Sequence, residues 1–374
     1  MSAWVATFSV GLCRGNHSNT GHLYNRTVTD KIEGGACAGL WQSAFEKENN
    51  MSRSSQEKLV GVVTSLPTFC DDNYNLLLDR QRKHIRWVID HGLKEGSAVL
   101  MASGGLGEGY FLDEDEFKQI VDVLADEARG EVPTMVGVFE LSARKAVKKA
   151  RYAAQAGIDF IQLSPPHYMV PSEEDVFGHF RYVNDHADIG IMAYNIPWAM
   201  PNPGFDLTAQ LLSQFTELEN VVGVKWSSHN MQHYLGMLRL FGDRFNFIDN
   251  RQTFSLGARL GMKGYISHWG NAAPKLALRW WELLKNGKYD EFDQEFLKMK
   301  FDPYIKVVAP EQQKWVGMGE GPTARLSLKL LGLDSGPPFP AQAMVSEEYI
   351  ENAQRAVEAS GVLEHVEWDQ SLLE

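Results

Sequence analysis

Residues 221–225 read VVGVK, three valines and a glycine closed by a lysine, with Trp226 next. Small and β-branched residues in a row, without polar alternation, mark a parallel strand covered on both faces. Seven more runs of this kind predict strands at 59–65 (LVGVVTS), 97–102 (SAVLMA), 134–138 (TMVGV), 158–163 (IDFIQL), 189–194 (IGIMAY), 245–249 (FNFID) and 263–267 (KGYIS). Each leads into a stretch of helical period: 74–92, 113–128, 142–156, 172–186, 206–216, 229–241, 251–260 and 273–285. Asp113 with Glu116 spells a capping box, and Ser142 and Ser172 are placed as N-caps. Strand–helix units repeated over about 230 residues predict an α/β chain, a (β/α)8 TIM barrel. The rival is a doubly wound sheet, which closes with fewer units and carries a Gly-rich turn after its first strand. Here the first strand runs into SLPTF (65–69).

The 374 residues, 44% hydrophobic and 22% charged with a net charge of −12, fit a globular chain with a large core. The acidic balance and the lack of basic stripes argue against nucleic acid or an anionic membrane as partner. No apolar run approaches the ~20 residues that span a bilayer. Residues 4–13 faintly resemble a signal-peptide core, but no Lys or Arg lies between Met1 and Trp4 and no A-x-A site follows. Cys13, Cys37 and Cys70 are too scattered for a CxxC site or a disulfide framework, which makes a reducing cytoplasm the expectation. Residues 1–57, rich in Gly, Asn and Ser, are expected to be a poorly ordered arm, or a start-site artefact if Met51 begins the folded part. The barrel is expected over 58–287, and a C-terminal helical region of about three helices over 288–374, covering one side of the barrel or building a subunit interface.

In such a barrel the strand ends converge on one face, where the chemistry sits. Lys225 ends the sixth strand, so its amine is expected in that mouth. Lost hydration lowers its pKa, and the neutral amine attacks a ketone or aldehyde to give a Schiff base. The bland alternative is a lysine snorkelling to the rim or paired with a carboxylate. Tyr194, in MAYNIPWAMP (192–201), holds the same place one strand earlier. Adjacent strands lie about 4.8 Å apart, so phenol and amine can meet, and the phenol can shuttle the protons of the carbinolamine. Taken alone, Tyr194 reads as a core residue with a satisfied hydroxyl. ASGGLGEGYFL (102–112) follows the second strand, and its glycines let backbone N–H groups approach a carboxylate. A dinucleotide loop and a plain tight turn compete; Gly105, Gly107 and Gly109 do not give GxGxxG.

Taken together, LPTF (66–69), the GxxGE loop (Gly104, Gly107, Glu108), SPPHYMVPSEE (164–174), YNIP (194–197), GVK (223–225) and LKLLGLDSGPPFP (328–340) resemble the dihydrodipicolinate synthase / N-acetylneuraminate lyase family. These are class I pyruvate aldolases that work through a Schiff base, and the resemblance runs from about 59 to 345. It implies a barrel with a C-terminal helical extension, free of metal and of any cofactor beyond the covalent lysine imine, and assembled as a homotetramer or dimer. It makes Lys225 the imine-forming lysine, Tyr194 the proton relay and Tyr168 an aromatic reaching into a neighbouring subunit's site. Gly104, Gly105, Leu106, Gly107 and Glu108 become the loop that holds the carboxylate of the 2-keto acid.

Three departures qualify it. Gly105-Leu106 stands where many members carry two hydroxyl residues, so backbone donors remain but side-chain contacts are lost. Trp198-Ala199-Met200 stands where members that make dihydrodipicolinate place an arginine after YNxP. His167 precedes Tyr168 where an aromatic hydroxyl is frequent. Trp198, Trp226 and Trp269, with Leu106 and Met200, are expected to line the mouth with apolar surface, alongside His167, Ser267 and His268. Within the family this most resembles the hydratase-aldolases, which release an aromatic aldehyde and pyruvate. A sugar-acid dehydratase or aldolase is the second reading, and a non-catalytic keto-acid-binding barrel the third. His268 either orients substrate or is structural. His229 and His233 have metal-ligand spacing but lack the glutamate of HExxH and a third ligand, which favours a solvated helix face.

Overall fold

The computed structural model describes residues 55–168, 170–200, 205–301 and 320–373. The arm predicted over 1–57 lies outside them except for its last three residues. The eight strands are β1 (Gly61–Ser65), β2 (Ala98–Ala102), β3 (Thr134–Val138), β4 (Phe160–Leu163), β5 (Gly190–Asn195), β6 (Val221–Trp226), β7 (Asn246–Asp249) and β8 (Gly264–Ser267). They pair in parallel in chain order, and β8 returns to β1 to close a barrel. Every strand residue is buried, as continuous apolar runs demand.

Eight helices cover the ring: α1 (Leu78–Asp90), α2 (Glu114–Ala128), α3 (Ala143–Gln155), α4 (Glu173–Asn184), α5 (Ala209–Phe215), α6 (Met231–Phe241), α7 (Phe254–Arg259) and α8 (Pro274–Lys285). The predicted capping box of α2 forms, and Ser172 makes another with Asp175 at α4. Ser142 holds the N-cap position of α3, but its hydroxyl makes no cap hydrogen bond. The helix predicted from 229 starts at Met231 because Asn230 caps it through the His233 amide. That from 251 starts at Phe254 because the buried Asp249 carboxylate ties up the Arg251 amide and the Thr253 hydroxyl.

Core packing falls into two layers. Val63, Val99, Met135, Phe160, Met192, Ile248 and their neighbours fill the barrel, with Leu59 plugging the end opposite the mouth. Val62, Leu100, Val136, Val224 and Trp226 face outward into the layer shared with the helices. Strict alternation breaks once, in β6. Ile191 pairs with Val221, but Met192 pairs with Gly223, so one extra residue bulges between them. Val222 therefore faces inward and Val224 outward, and Lys225 points into the ring. An unbulged strand with Val222 inside would send the lysine outward. A Cβ on Gly223 would lie 2.5 Å from a Leu59 methyl and 2.8 Å from the Asn246 carbonyl oxygen, so glycine is required at the bulge.

Beyond the barrel come α9 (Tyr289–Phe296), a π-helical turn (Leu297–Phe301), α10 (Glu320–Leu330) and α11 (Glu347–Ser360). They fall with the barrel in one compact unit, Phe45–Glu374. Among the described residues no helix is long and apolar enough to cross a membrane.

Candidate active site

Register places Lys225 beside Tyr194 at the open ends of β6 and β5. The two are 3% and 1% exposed, and the Lys225 Nζ lies 4.0 Å from the centroid of the phenol ring. Burial lowers the Lys225 pKa to about 8, with the Glu320 carboxyl acting in the opposite sense. At neutral pH this raises the neutral-amine fraction from below about 0.1% to about 10%. Burial, with Glu320, pushes the Tyr194 phenol far above its ordinary value of 10.0, against a hydrogen bond to the Ser227 hydroxyl. The phenol thus keeps its proton and can pass it on. Asn250 donates to the same Ser227 Oγ at 2.7 Å, which extends the hydrogen-bonded line to the next strand end.

The loop after β2 is bracketed by two non-glycine residues in the left-handed region, Ser103 (φ 44°) and Glu108 (φ 51°). Residues 103–109 are buried, and none of the amides of Gly104, Gly105, Leu106 and Gly107 donates a hydrogen bond among the described residues. Consecutive buried amides without acceptors form a nest for an anion. Side chains here crowd the backbone: a Cβ on Gly107 would lie 2.9 Å from the Leu66 carbonyl oxygen. Leu106, 1% exposed, points into the core and not into the mouth.

Glu108 is also not part of the lining of the chamber among the strand-end loops. Its buried carboxylate accepts from the Arg325 Nε of α10, from the Phe339 amide at 3.2 Å and from the Gln342 side chain. It ties the loop to the C-terminal region, whereas the sequence reading expected Glu108 to bind substrate.

The chamber, of about 410 Å³, opens among the loops that follow the strands, and Glu320 in its lining is within electrostatic reach of Lys225. Tyr110, Phe139 and Trp198 give it aromatic walls, Pro165 and Ile196 add apolar surface, and Ser164, His167 and Glu320 are its polar lining. Trp198, 49% exposed, stands at its rim. Tyr168 is 81% exposed and leaves the chamber of its own chain.

The other two tryptophans are placed differently from expectation. Trp226 follows Lys225 in an extended strand and must point the opposite way. It is wholly buried outside the ring against His233, Tyr234 and Phe247. Trp269 is buried too, 5.7 Å from Trp280, with the Lys300 ammonium 4.0 Å from its ring centroid. Ser267, His268 and Trp269 border a separate cavity of about 100 Å³ with Lys300. There the Ser267 hydroxyl accepts the Gly270 amide at 3.2 Å. Burial, and the nearby Lys300 and Lys225 charges, push His268 down to about 3, so it is a neutral imidazole. Met200 is buried.

The sequence reading missed Glu320, Tyr110, Phe139, Ser164, Ser227 and Lys300. Glu320 and Lys300 come from segments after the barrel, where no strand-end position announces them. Ser227 is different: it lies two residues beyond Lys225 and was findable. His229 precedes α6 and accepts from Arg251, while His233 pairs with the Leu207 carbonyl oxygen, so they do not form a ligand pair. Among the described residues no group of three His, Cys, Asp or Glu is disposed to hold a metal.

A family model described as the dihydrodipicolinate synthetase family matches residues 58–359. Over 241 residues the chain is 31% identical to a 4-hydroxy-tetrahydrodipicolinate synthase of Methylobacterium radiotolerans, covering 64% of this chain and 78% of that one. A solved structure of a putative dihydrodipicolinate synthetase from Pseudomonas aeruginosa superposes with a TM-score of 0.66 at 26% identity, covering 81% of this chain and 99% of that one. The structure titled "PhdJ bound to substrate intermediate" superposes at 0.71 and 18% identity, covering 83% and 98%, a likeness of fold. Barrel, mouth and matched motifs agree: the chain belongs to the dihydrodipicolinate synthetase family.

Proposed function

We propose that this protein is a class I lyase, or aldolase, that joins or cleaves a carbon–carbon bond between a 2-keto acid and an apolar, aromatic aldehyde. The single observation that carries the reading is the buried, charge-weakened amine of Lys225 lying against the Tyr194 phenol. Lys225 attacks the keto carbon, Tyr194 supplies and recovers the proton as the carbinolamine loses water, and the iminium accepts the electron pair of the bond that breaks. The free amides at Gly104–Gly107 suit the keto acid's carboxylate, most simply that of pyruvate. Enzymes of the family use a lysine Schiff base and no external cofactor.

The second substrate is read from the chamber. Three aromatic walls favour a flat, apolar aldehyde. A second reading, the synthase reaction in the curated relatives' name, is favoured by the 31% identity. Its dicarboxylate product, however, calls for a cation beside the acceptor. The described lining offers a carboxyl, Glu320, and neither lysine nor arginine. We further propose that the protein is a homo-oligomer in which the exposed Tyr168 reaches a neighbouring mouth.

Purified protein incubated with pyruvate and separate aromatic, aliphatic and sugar aldehydes tests the reading. Condensation products, and their cleavage in reverse, are expected for the aromatic aldehydes. Turnover of sugar aldehydes alone, loss of water without carbon–carbon cleavage, or a synthase product from an acidic semialdehyde would overturn it.

A further inference from the structure

Glu320 opens α10 and places its carboxyl in the space a side chain at 105 would occupy. A Cβ built on Gly105 would lie 2.1 Å from Glu320 Oε2, 2.7 Å from its Cδ and 3.0 Å from Oε1. A side chain at 105 would therefore have to push the Glu320 carboxyl, the far end of a flexible side chain, out of this space. The Glu320 carboxyl makes no hydrogen bond or ion pair among the described residues, although it lines the chamber. Arg325, further along the same helix, is committed to Glu108 and Ser335. Among the described residues, a carboxyl without a partner thus stands against Gly105, in a loop whose amides have no acceptors, within electrostatic reach of the Lys225 amine.

The charges around it decide its state. Lys225 on β6 is within electrostatic reach, as are Glu108 and Tyr110 on the loop after β2 and Tyr194 on β5. Burial raises the Glu320 pKa, Lys225 opposes this and Glu108 adds to it. Before substrate arrives, one ammonium and one carboxylate balance. A keto acid brings a second carboxylate into the same dry space. Two carboxylates sharing a site hold one proton between them, because both cannot stay ionised at contact.

We propose that Glu320 is a keto-acid-binding residue. Its protonated carboxyl donates a hydrogen bond to the carboxylate held by the Gly104–Gly107 amides, replacing the hydroxyl side chain absent at Gly105. The inference rests on the lyase reading above. It adds that binding takes up a proton at Glu320 and weakens as pH rises. A carboxylic acid donating to a carboxylate is a charge-assisted bond, one of the stronger kinds.

Borohydride trapping with pyruvate, followed by intact mass, measures half-saturation in wild type, Glu320→Gln, Glu320→Ala and the pair Gly105→Ser with Glu320→Ala. The range runs from about pH 6 to about pH 9, on either side of the lysine's titration. Glu320→Gln keeps a donor that cannot ionise. It should match wild type at the acid end and lose the extra weakening at high pH. Glu320→Ala should raise half-saturating pyruvate by about 10- to 100-fold, the cost of one charge-assisted hydrogen bond. Gly105→Ser should recover part of that loss in the alanine background, where space is free and the backbone is not in the left-handed region. Circular dichroism checks that Glu320→Ala folds. Should it not, the Gln profile still decides, because among the described residues the carboxyl has no partner to lose.

Tighter or unchanged trapping in Glu320→Ala would show a carboxylate that competes with substrate or ignores it, and would overturn the inference. One shared pH profile for wild type and Glu320→Gln would overturn it too. Wild type giving no adduct with any keto acid brings down the lyase reading and this one with it. Normal trapping that ignores Glu320 brings down this one alone.

Discussion

Lys225→Met removes an amine that the fold holds at a cost. In the folded chain its pKa falls from 10.5 to about 8, through burial. At about 1.36 kcal/mol per pH unit, that fall amounts to roughly 3 kcal/mol of destabilisation at neutral pH. Between about pH 8 and 10.5 the unfolded chain binds this proton and the folded one does not, so the lysine's contribution makes stability rise with pH. Below about pH 8 both states hold the proton and the full penalty applies. Methionine fills a similar volume without a charge but gives up the ammonium's contact with the Tyr194 ring. Allowing about 1 kcal/mol for that contact, the variant should be more stable than wild type by roughly 1–3 kcal/mol at neutral pH, and by about half as much near pH 9.5. Urea unfolding followed by tryptophan fluorescence at both pH values reads the difference, and turnover should vanish. A variant no more stable than wild type, or one whose advantage ignores pH, would refute the claim that the site is strained by a dry ammonium.

Other positions give sharper geometric tests. Gly223→Ala presses a methyl against Leu59 and the Asn246 carbonyl; it should destabilise by about 1–3 kcal/mol in thermal melts and cut imine trapping by disturbing the bulge that aims Lys225. Trp226→Ala should cost about 3–5 kcal/mol of stability yet leave pyruvate trapping intact in the protein that folds, since the ring packs outside the barrel. Trp198→Ala should do the reverse, raising KM for an aromatic aldehyde with a melting temperature near that of wild type. Glu108→Gln leaves Arg325 buried without its counter-ion and should lower stability by about 3–5 kcal/mol in chemical denaturation.

The barrel was legible because a parallel strand sheathed by helices has to be apolar throughout, and each such run here is followed by a stretch of helical period. The pairing of Tyr194 with Lys225 was legible for a related reason: adjacent strand ends of a closed ring meet at one rim. What misled was direction within a strand. Trp226 ends a strand whose period of two sends neighbours to opposite faces, so sequence proximity to Lys225 did not place its ring in the mouth; Trp269 lies past the end of β8 in a 3-10 turn (Trp269–Asn271), where the strand alternation no longer applies. The β6 bulge was hidden because VVGVK does not say which residue is extra; only the burial of Val222 inside and Val224 outside does. Glu108 matched a motif of the binding loop, yet its left-handed backbone turns the carboxylate toward Arg325. Glu320 could not be seen at all, since its partner position is a glycine more than two hundred residues earlier in the chain.

The amine that forms the imine is the centre of the account, and the buried Lys225 and the half-buried Lys300 make its identity a real test. Lys225 and Lys300 are both lowered to about 8 by burial. Borohydride reduction in the presence of pyruvate, proteolysis and peptide mass spectrometry locate the adduct. A single adduct on the peptide bearing Lys225, slowed but not moved by Tyr194→Phe, is the predicted result. An adduct on Lys300, or equal trapping in wild type and Lys225→Met, would contradict it.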